Sequence, residues 1–224
     1  SVLVLDNVFV TSLDVAFSTV FISLEVALNR LMIIASDIEN EELSQWAERE
    51  LNGYKNVSDL PVYRIITNAR FVYSGINGRF KVTHAPLPLA EMMGYKNNEI
   101  SVNIPDGIQA LNESISGNVE YARDMTSMAG VVYQKTGISC TVILQIVPQN
   151  AIENILSTIK SKLLKVLIRL DKEYGTLDDL DIDISTKTPE EIHTINVAIN
   201  NYIFEDRSIK IGDKNRIDST DIRS

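Results

Sequence analysis

The two histidines and the single cysteine are the side chains of this sequence that most often supply nucleophilic or general-base chemistry. They are His84, His193 and Cys140. A Ser-His-Asp or Cys-His device requires a nucleophile beside an imidazole that a third group orients. The sequence has no Gly-x-Ser-x-Gly elbow, and Cys140 lies inside a β-branched run. We expect His84 to end a strand and His193 to lie on an amphipathic helix, and we predict no catalytic residue.

Carboxylates crowd into the segment 178–183 and could supply oxygen ligands to a hard cation. They are Asp178, Asp179, Asp181 and Asp183. The segment lacks the glycine and the distal glutamate of an EF-hand loop, and Leu180 and Ile182 alternate with the aspartates. This alternation favours an edge segment with a solvated acidic face over a metal site. We predict no metal and no cofactor.

A basic side on one predicted helix is the third chemical feature. Its members are Lys160, Lys162, Lys165, Arg169 and Lys172. A basic face opposite an apolar stripe is typical of a solvent-exposed helix. The chain carries 21 Lys and Arg against 30 Asp and Glu, for a net charge of −9. Because each phosphate contact needs a cation, this composition argues against binding to nucleic acid or to an anionic membrane.

The composition also bears on the compartment. With Cys140 alone, neither an intrachain disulfide nor a cysteine-based zinc site can form, which fits the reducing cytoplasm. The most apolar stretch is 15–34, but Glu25 and Arg30 interrupt it. Each charge at the centre of a membrane helix costs roughly 2.5–3.5 kcal/mol. We therefore predict a buried helix, no membrane span, no signal peptide and a cytoplasmic location.

The N-terminal part of the chain is predicted to form a strand and a helical hairpin. The run 2–10 is β-rich, and Thr11 or Ser12 can cap a helix that continues to about Ser36. The helix is apolar on most sides, which is typical of a central element or of one covered by another subunit. A second helix begins at the cap residue Asn40 and ends where Gly53 can adopt the left-handed conformation.

The middle of the chain alternates as strands do. The predicted strands are 62–66, 70–73, 79–83, a further one within 100–105, and 138–147. Asn77-Gly78 between two alternating runs predicts a two-residue hairpin. The nearly continuous apolar run 138–147 predicts a central strand covered on both faces.

Helices are predicted to bracket this sheet. Two shorter helices end at Gly117 and at Gly137, the second beginning near Ala122. A long helix opens at Pro148 and continues to Gly175. Its apolar stripe is Ile152, Ile155, Ile159, Leu163, Val166, Leu167 and Leu170. A short last helix is predicted from Thr188 and Glu191, which have the spacing of a capping box.

The predicted fold class is α+β. An N-terminal helical hairpin and a long C-terminal helix pack on a small, mostly antiparallel sheet in a domain over 1–198. A β-rich tail over 199–224 follows, with isoleucines set among turn residues: Ile209, Ile211, Ile217 and Ile222. Isolated short strands are marginal in water. We therefore predict that the tail is an oligomerisation element and that the protein is a homo-oligomer associating through its two chain ends.

The stretch "ELSQWAERELNGY", followed by "LPVYR", resembles the AbiTii domain of bacterial abortive-infection, or phage-resistance, proteins. The residues that carry this resemblance are Trp46, Glu50, Leu51, Asn52, Gly53, Tyr54, Leu60, Pro61, Tyr63 and Arg64. It continues in "APLPL" at 85–89 and in the long helix within 147–175, and it covers roughly 12–198. The resemblance implies a role in bacterial defence. It transfers no catalytic residue.

The same motif has a structural interpretation. Trp46 and Leu51 are expected to pack the helical hairpin onto the sheet, and Gly53 to reverse the chain. Arg64 is expected to hold Glu50, or the acidic loop, through a forked ion pair. We favour this interpretation over a ligand-binding one.

The sequence leaves three functions open. The first is a non-enzymatic, self-associating sensor or scaffold of an anti-phage system, with a defence or phage protein as partner. The second is a toxin-like effector with an unrecognised enzymatic site that acts on nucleic acid or nucleotides. The third is a phage-encoded structural or accessory protein. The scarcity of histidines favours the first.

Overall fold

A computed structural model describes residues 3–5, 8–10, 21–94, 101–117, 120–175, 182 and 184–204. The helices are α1 Leu24–Asp37, α2 Glu41–Asn52, α3 Leu89–Met93, α4 Ile108–Ser116, α5 Ala129–Thr136, α6 Gln149–Tyr174 and α7 Pro189–Phe204. The strands are β1 Leu3–Leu5, β2 Val8–Val10, β3 Phe21–Ser23, β4 Ile65–Ile66, β5 Arg70–Asn77, β6 Phe80–Pro86, β7 Val102–Asn103, β8 Tyr121–Asp124 and β9 Ser139–Val147.

The strands form antiparallel sheets, which together with the helices confirm the α+β class. The largest sheet has the order β6-β5-β9-β8, so the predicted central strand does lie inside it as β9. Its last residues are buried, whereas its first half is largely exposed. β4 pairs with β7, and β1, β2 and β3 form a third small sheet.

The predicted hairpin joins β5 to β6, but its turn lies one residue later than expected. Asn77 is the last residue of β5 and pairs with Phe80, so the two loop residues are Gly78 and Arg79. Only Gly78 has a positive φ, at +61°. Glycine at the first loop position is the preference of a type II′ turn, in which the second position needs no positive φ.

The N-terminal elements differ most from the sequence prediction. The predicted strand over 2–10 is two strands, with Leu3 opposite Val10. The predicted helix from residue 12 was wrong in its start, because 21–23 pairs with β2 and α1 begins only at Leu24. The cap is Ser23, whose side chain accepts a hydrogen bond from the amide of Val26 at 3.3 Å. Residues 11–20 lie outside the described part.

Two further predicted elements were wrong over their first residues. The helix expected from Ala122 begins at Ala129, because residues 121–124 instead pair with the edge of β9 as β8. The strand expected over 62–66 starts as a 3-10 turn, Val62–Arg64, in which the Arg64 amide donates to Pro61 O at 2.9 Å. Side-chain periodicity identifies neither feature, because β8 depends on pairing with the distant β9 and the 3-10 turn depends on a backbone hydrogen bond to Pro61.

The main core is helical. It is built from one face each of α1, α2, α4, α6 and α7, and it includes Ile66 and Val102 of the two-stranded sheet. The predicted α6 stripe is buried, except that Leu167 is only half-buried. α1 buries a single face and leaves Val26 and Ile33 exposed, so it is less enclosed than its sequence predicted.

A second core lies between the four-stranded sheet and the short helices α3 and α5. Its buried members are Phe71, Tyr73, Leu87, Leu89, Val132 and Ile143. Leu87 and Leu89 come from the "APLPL" segment, and Leu87 extends the sheet by donating its amide to Phe71 O at 2.9 Å. The sheet therefore has its own apolar support beside the helical core.

α7 closes the helical core against the first hairpin. The predicted capping box is confirmed: the Glu191 carboxylate accepts from the Thr188 amide at 2.8 Å, and Thr188 Oγ1 accepts from the Glu191 amide at 3.3 Å. α7 runs through residue 198, the predicted domain boundary, and buries Ile199 and Ile203. The isoleucines of the tail prediction lie outside the described residues.

Candidate functional site

The family-like motif occupies three consecutive local structures. Helix α2 carries Trp46 near its middle and Glu50 near its end. A loop containing the 3-10 turn Val57–Asp59 follows, and the 3-10 turn Val62–Arg64 then places Tyr63 and Arg64. The loop folds the second turn back onto α2, so polar groups far apart in the motif meet beneath the helix.

Glu50 and Arg64 form a fully buried ion pair. Both side chains are 0% exposed, and Arg64 Nη2 lies 2.5 Å from Glu50 Oε2. Arg64 Nε donates to the same oxygen at 3.2 Å. Arg64 Nη1 donates to the carbonyl oxygens of Ile104, at 3.1 Å, and Asp106, at 2.7 Å. Arg64 therefore contacts Glu50, as predicted, and its other partners are backbone carbonyls between β7 and α4.

Two tyrosines saturate the other carboxylate oxygen. Tyr54 Oη donates to Glu50 Oε1 at 2.5 Å, and Tyr63 Oη donates to it at 2.6 Å. Trp46 Nε1 donates to Tyr63 Oη at 3.3 Å, and the Arg64 guanidinium carbon lies 5.0 Å from the centroid of the Tyr54 ring. Each polar side-chain atom of the five residues thus has a partner, and we call this set the Glu50 network.

The Glu50 network keeps its phenols protonated. Burial is the largest cause that raises the pKa of Tyr54 and of Tyr63 far above the ordinary range, and the negative charge of Glu50 adds to it. Both phenols therefore act as donors to the carboxylate.

Gly53 allows the end of α2 to touch the chain before α4. It has a φ of +90° and a ψ of 169°, so its φ is positive as predicted but its conformation is not left-handed helical. A Cβ at Gly53 would lie 2.7 Å from Pro105 O, and one at Gly107 would lie 2.2 Å from Leu51 O. The Tyr54 amide donates to Pro105 O at 2.7 Å. This backbone contact sets the distance between α2 and the carbonyls that hold Arg64.

A small pocket opens beside the Glu50 network. It has a volume of about 190 Å³, and half of the motif residues line it: Trp46, Tyr54, Leu60, Pro61 and Tyr63. The walls also include Lys162 of α6 and Phe204 at the end of α7. Of the remaining motif residues, Leu51 packs half-buried against the helical core and Asn52 is exposed. The motif therefore builds both a buried network and the wall of a pocket.

A comparison with known protein families identifies the family of this chain. The sequence model of the AbiTii family, an abortive-infection family, matches residues 18–197. The chain belongs to the AbiTii family. Membership supports an abortive-infection, anti-phage role for it. No curated protein and no solved structure matches the chain.

The solvent exposure of one lysine beside the AbiTii motif was predicted wrongly from its helical face. Lys162 was predicted to lie on a solvated basic side, but its Nζ donates to Ile203 O at 2.8 Å and to Tyr202 O at 3.3 Å. It also lies 5.5 Å from the centroid of the Tyr63 ring. A cation at the C-terminal carbonyls of α7 is favoured by the helix dipole. Lys165 and Lys172 are exposed, as the pattern predicted.

The groups with catalytic potential lie away from the AbiTii motif. His84 lies within β6 rather than at its end, at an irregular position with φ +56°, and its Nε2 is 3.4 Å from Glu120 Oε2. His193 is exposed on α7. Cys140 lies in β9, where burial raises the pKa of its thiol. A raised pKa favours the protonated thiol, which is a weaker nucleophile than the thiolate.

Two findings concern metal sites and membranes. Among the described residues, no group of three or more His, Cys, Asp or Glu side chains is placed to hold a metal ion. The aspartates of the acidic run lie outside those residues, and only Ile182 between them is described, as a buried side chain. Within the described ranges, no helix combines the length and apolarity needed to cross a bilayer.

Sequence reasoning missed the acceptors and donors that complete the Glu50 network. The tyrosines stood in the motif, and their spacing of four and thirteen residues from Glu50 was the available signal. The carbonyls of Ile104 and Asp106 carried no such signal, because any residue type supplies a backbone oxygen.

Proposed function

We propose that this AbiTii chain acts in anti-phage defence as a non-enzymatic, self-associating sensor or scaffold in the cytoplasm, with a defence or phage protein as its partner. The observation that carries the proposal is the saturation of Glu50 and Arg64 inside the fold. These are the two charged groups of the motif, and both have their hydrogen bonds directed to neighbouring parts of the same chain.

A general base needs a carboxylate that can reach a substrate proton. Glu50 has no solvent exposure, and four donor atoms occupy its two oxygens. An electrophilic arginine likewise needs N–H groups directed at a substrate, whereas those of Arg64 are directed at Glu50 and at two carbonyls. The chemistry of the motif therefore supports a rigid binding platform.

Phage plating combined with thermal unfolding tests the non-enzymatic part. The conservative variants Glu50→Gln and Tyr63→Phe change hydrogen bonds of the Glu50 network but keep the volume of the side chains. Protection against phage should therefore fall only as far as the melting temperature falls. The matched controls are His84→Ala and His193→Ala, at exposed positions outside the network. We expect them to retain both protection and stability.

Two results would contradict this part of the proposal. One is a network variant that keeps its melting temperature and loses protection. The other is a histidine variant that does the same. Either result would favour the toxin-like effector, in which a side chain acts on a substrate.

The self-associating part is tested by the mass of the full chain in solution. α1 leaves Val26 and Ile33 exposed on the described surface, and we propose that they contribute to the contact between copies. Light scattering at micromolar concentration should give a multiple of the 25.0 kDa chain mass. A monomer under these conditions would contradict self-association.

A further inference from the structure

The pocket beside Trp46 and Tyr63 has the character of a site for an apolar side chain. Leu60, Pro61 and the aromatic rings of the motif supply its walls. The polar atoms of Trp46, Tyr54 and Tyr63 already have partners in the Glu50 network. Burial of apolar surface is therefore the main contribution to the binding free energy of an occupant, and hydrogen bonds inside the pocket contribute less.

Apolar residues also stand exposed at the rim of this pocket. Val62 is 50% exposed and Phe204 is 56% exposed, and both line it. Together with the apolar walls, these two side chains add to the apolar surface that an occupant would bury. Two cations accompany it: Arg49, whose side chain lies 4.0 Å from Asp59, and Lys162.

The chain itself continues from the wall of the pocket. Phe204 is the last described residue, and residues 205–224 follow it. In the sequence, Ile209 and Ile211 are separated by one residue, which is the spacing of side chains that share one face in a β-strand. The segment carries both signs of charge, and so does the pocket wall, so that ion pairs can form across the contact. The charged residues are Glu205, Asp206, Arg207 and Lys210 in the segment and Arg49, Asp59 and Lys162 in the wall.

We infer that the pocket receives the Ile209–Ile211 segment of a second copy of this chain. The inference rests on the proposed self-association and names its contact surface. In a two-fold dimer each copy donates one segment and accepts one, so the same contact forms twice. Once the first segment has docked, the second docks within the complex at a high effective concentration. Two modest contacts then give a stable pair.

The sole tryptophan makes occupancy of the pocket directly measurable. Trp46 is the only tryptophan in the chain and lines the pocket, so its fluorescence reports on that site. The receptor is the full chain carrying Ile209→Asp and Ile211→Asp, and the probe is a peptide of residues 205–214, which has no tryptophan. We expect a saturable change in emission with this peptide. The control peptide, with both isoleucines changed to aspartate, should give none.

A second experiment tests assembly of the full chain by light scattering. Val62→Asp, at the pocket rim, should reduce the mass to that of a monomer. Val57→Asp is the matched control, because Val57 is 60% exposed on the preceding turn and does not line the pocket. It should leave the mass unchanged. Phe204→Asp repeats the rim test, and circular dichroism verifies that each variant is folded.

The results separate this inference from the proposed function. An oligomer that resists both rim substitutions, with Trp46 emission unchanged by the peptide, overturns the pocket assignment and leaves self-association standing. A monomeric natural chain overturns both. A monomer whose Trp46 emission responds to the peptide assigns the segment to the pocket of its own chain, which overturns the second copy as occupant.

Discussion

Two arginine–glutamate pairs in this protein have the same chemistry and opposite surroundings. Arg64 and Glu50 lie 2.5 Å apart with both side chains 0% exposed. Arg70 and Glu120 lie 3.0 Å apart with side chains 63% and 50% exposed. The buried pair is surrounded by phenols and carbonyls, whereas Glu120 on the surface also lies near His84.

The difference shows where an ion pair determines a structure. Burying two charges carries a desolvation penalty, which the Glu50 network offsets with hydrogen bonds at both carboxylate oxygens. Loss of one partner there leaves an uncompensated charge in the core. At the surface, water replaces a lost partner and salt screens the attraction. The same pair of charged groups in contact therefore does not imply the same contribution to the free energy of unfolding.

Arg64→Met should give the largest effect in this comparison. It leaves the Glu50 carboxylate buried without its cation, and the expected loss is roughly 3–5 kcal/mol in the free energy of unfolding. Urea denaturation measures this loss. Arg70→Met is the control at the surface pair and should cost at most about 1 kcal/mol. Similar losses for the two variants would contradict the distinction between the pairs.

Trp46→Ala should destabilise the protein by a similar amount, through packing. The ring is 3% exposed in the helical core, and emptying such a site costs roughly 3–5 kcal/mol. Thermal unfolding measures the shift of the midpoint. Trp46→Phe keeps most of the apolar contact, loses only the donor to Tyr63, and should be destabilised less. An unchanged midpoint would contradict this packing role.

Alkaline pH should weaken the buried network and spare the surface pair. Tyrosine ordinarily has a pKa of about 10. Because Tyr54 and Tyr63 have a raised pKa in the folded state, that state retains protons which the unfolded chain releases above pH 10. Their contribution is therefore fully present below about pH 10 and declines as the pH rises further.

Urea denaturation between pH 8 and pH 11 measures this decline. Tyr121 also has a raised pKa, so the informative quantity is the difference between the natural chain and Tyr63→Phe. The variant lacks one of the retained protons and should lose stability less steeply above pH 10. It should also be less stable at neutral pH by about 1.5–3 kcal/mol, the contribution of a hydrogen bond to a charged group. If the free energy of unfolding declined equally steeply with pH in both proteins, Tyr63 would not contribute to the decline.

Glu120→Gln should give the smallest effect. An exposed ion pair contributes roughly 0.2–1 kcal/mol, and salt reduces it. The difference between Glu120→Gln and the natural chain should therefore shrink between low and high ionic strength in urea denaturation. A salt-independent loss above this range would show that the surface pair is structural like the buried one.

The charged residues of the motif could be recognised from the sequence, but the backbone carbonyls that complete their contacts could not. Glu50 and Arg64 stand on either side of a loop opened by Gly53, so the sequence predicted Glu50, or the acidic loop, as the partner of Arg64, and the partner is Glu50. The carbonyls of Ile104 and Asp106 were not predicted, because tertiary packing brings them to Arg64 from 40 and 42 residues away. Lys162 was misjudged for the same reason: its helical face was correct, but α7 ends against that face.

The fold shows the same division between local and distant causes. Asn40, Thr188 and Pro148 were correctly placed at helix starts because capping acts within one turn. The type of 121–124 and the start of α1 were wrong, since pairing with β9 and with β2 decides them. Strand propensity is weak enough for such pairing to override it.

The side chain of Asn40 also constrains the order of folding. It donates to Asn196 and Asn200 of α7, 156 and 160 residues later in the chain, at 3.3 and 3.0 Å. Contacts of such sequence separation must close a long loop first, which slows folding. During synthesis, we therefore expect part of the apolar face of the first helical hairpin to stay exposed to solvent until α7 has left the ribosome. Chaperone binding during that interval is expected at the face of α2 that α7 later covers.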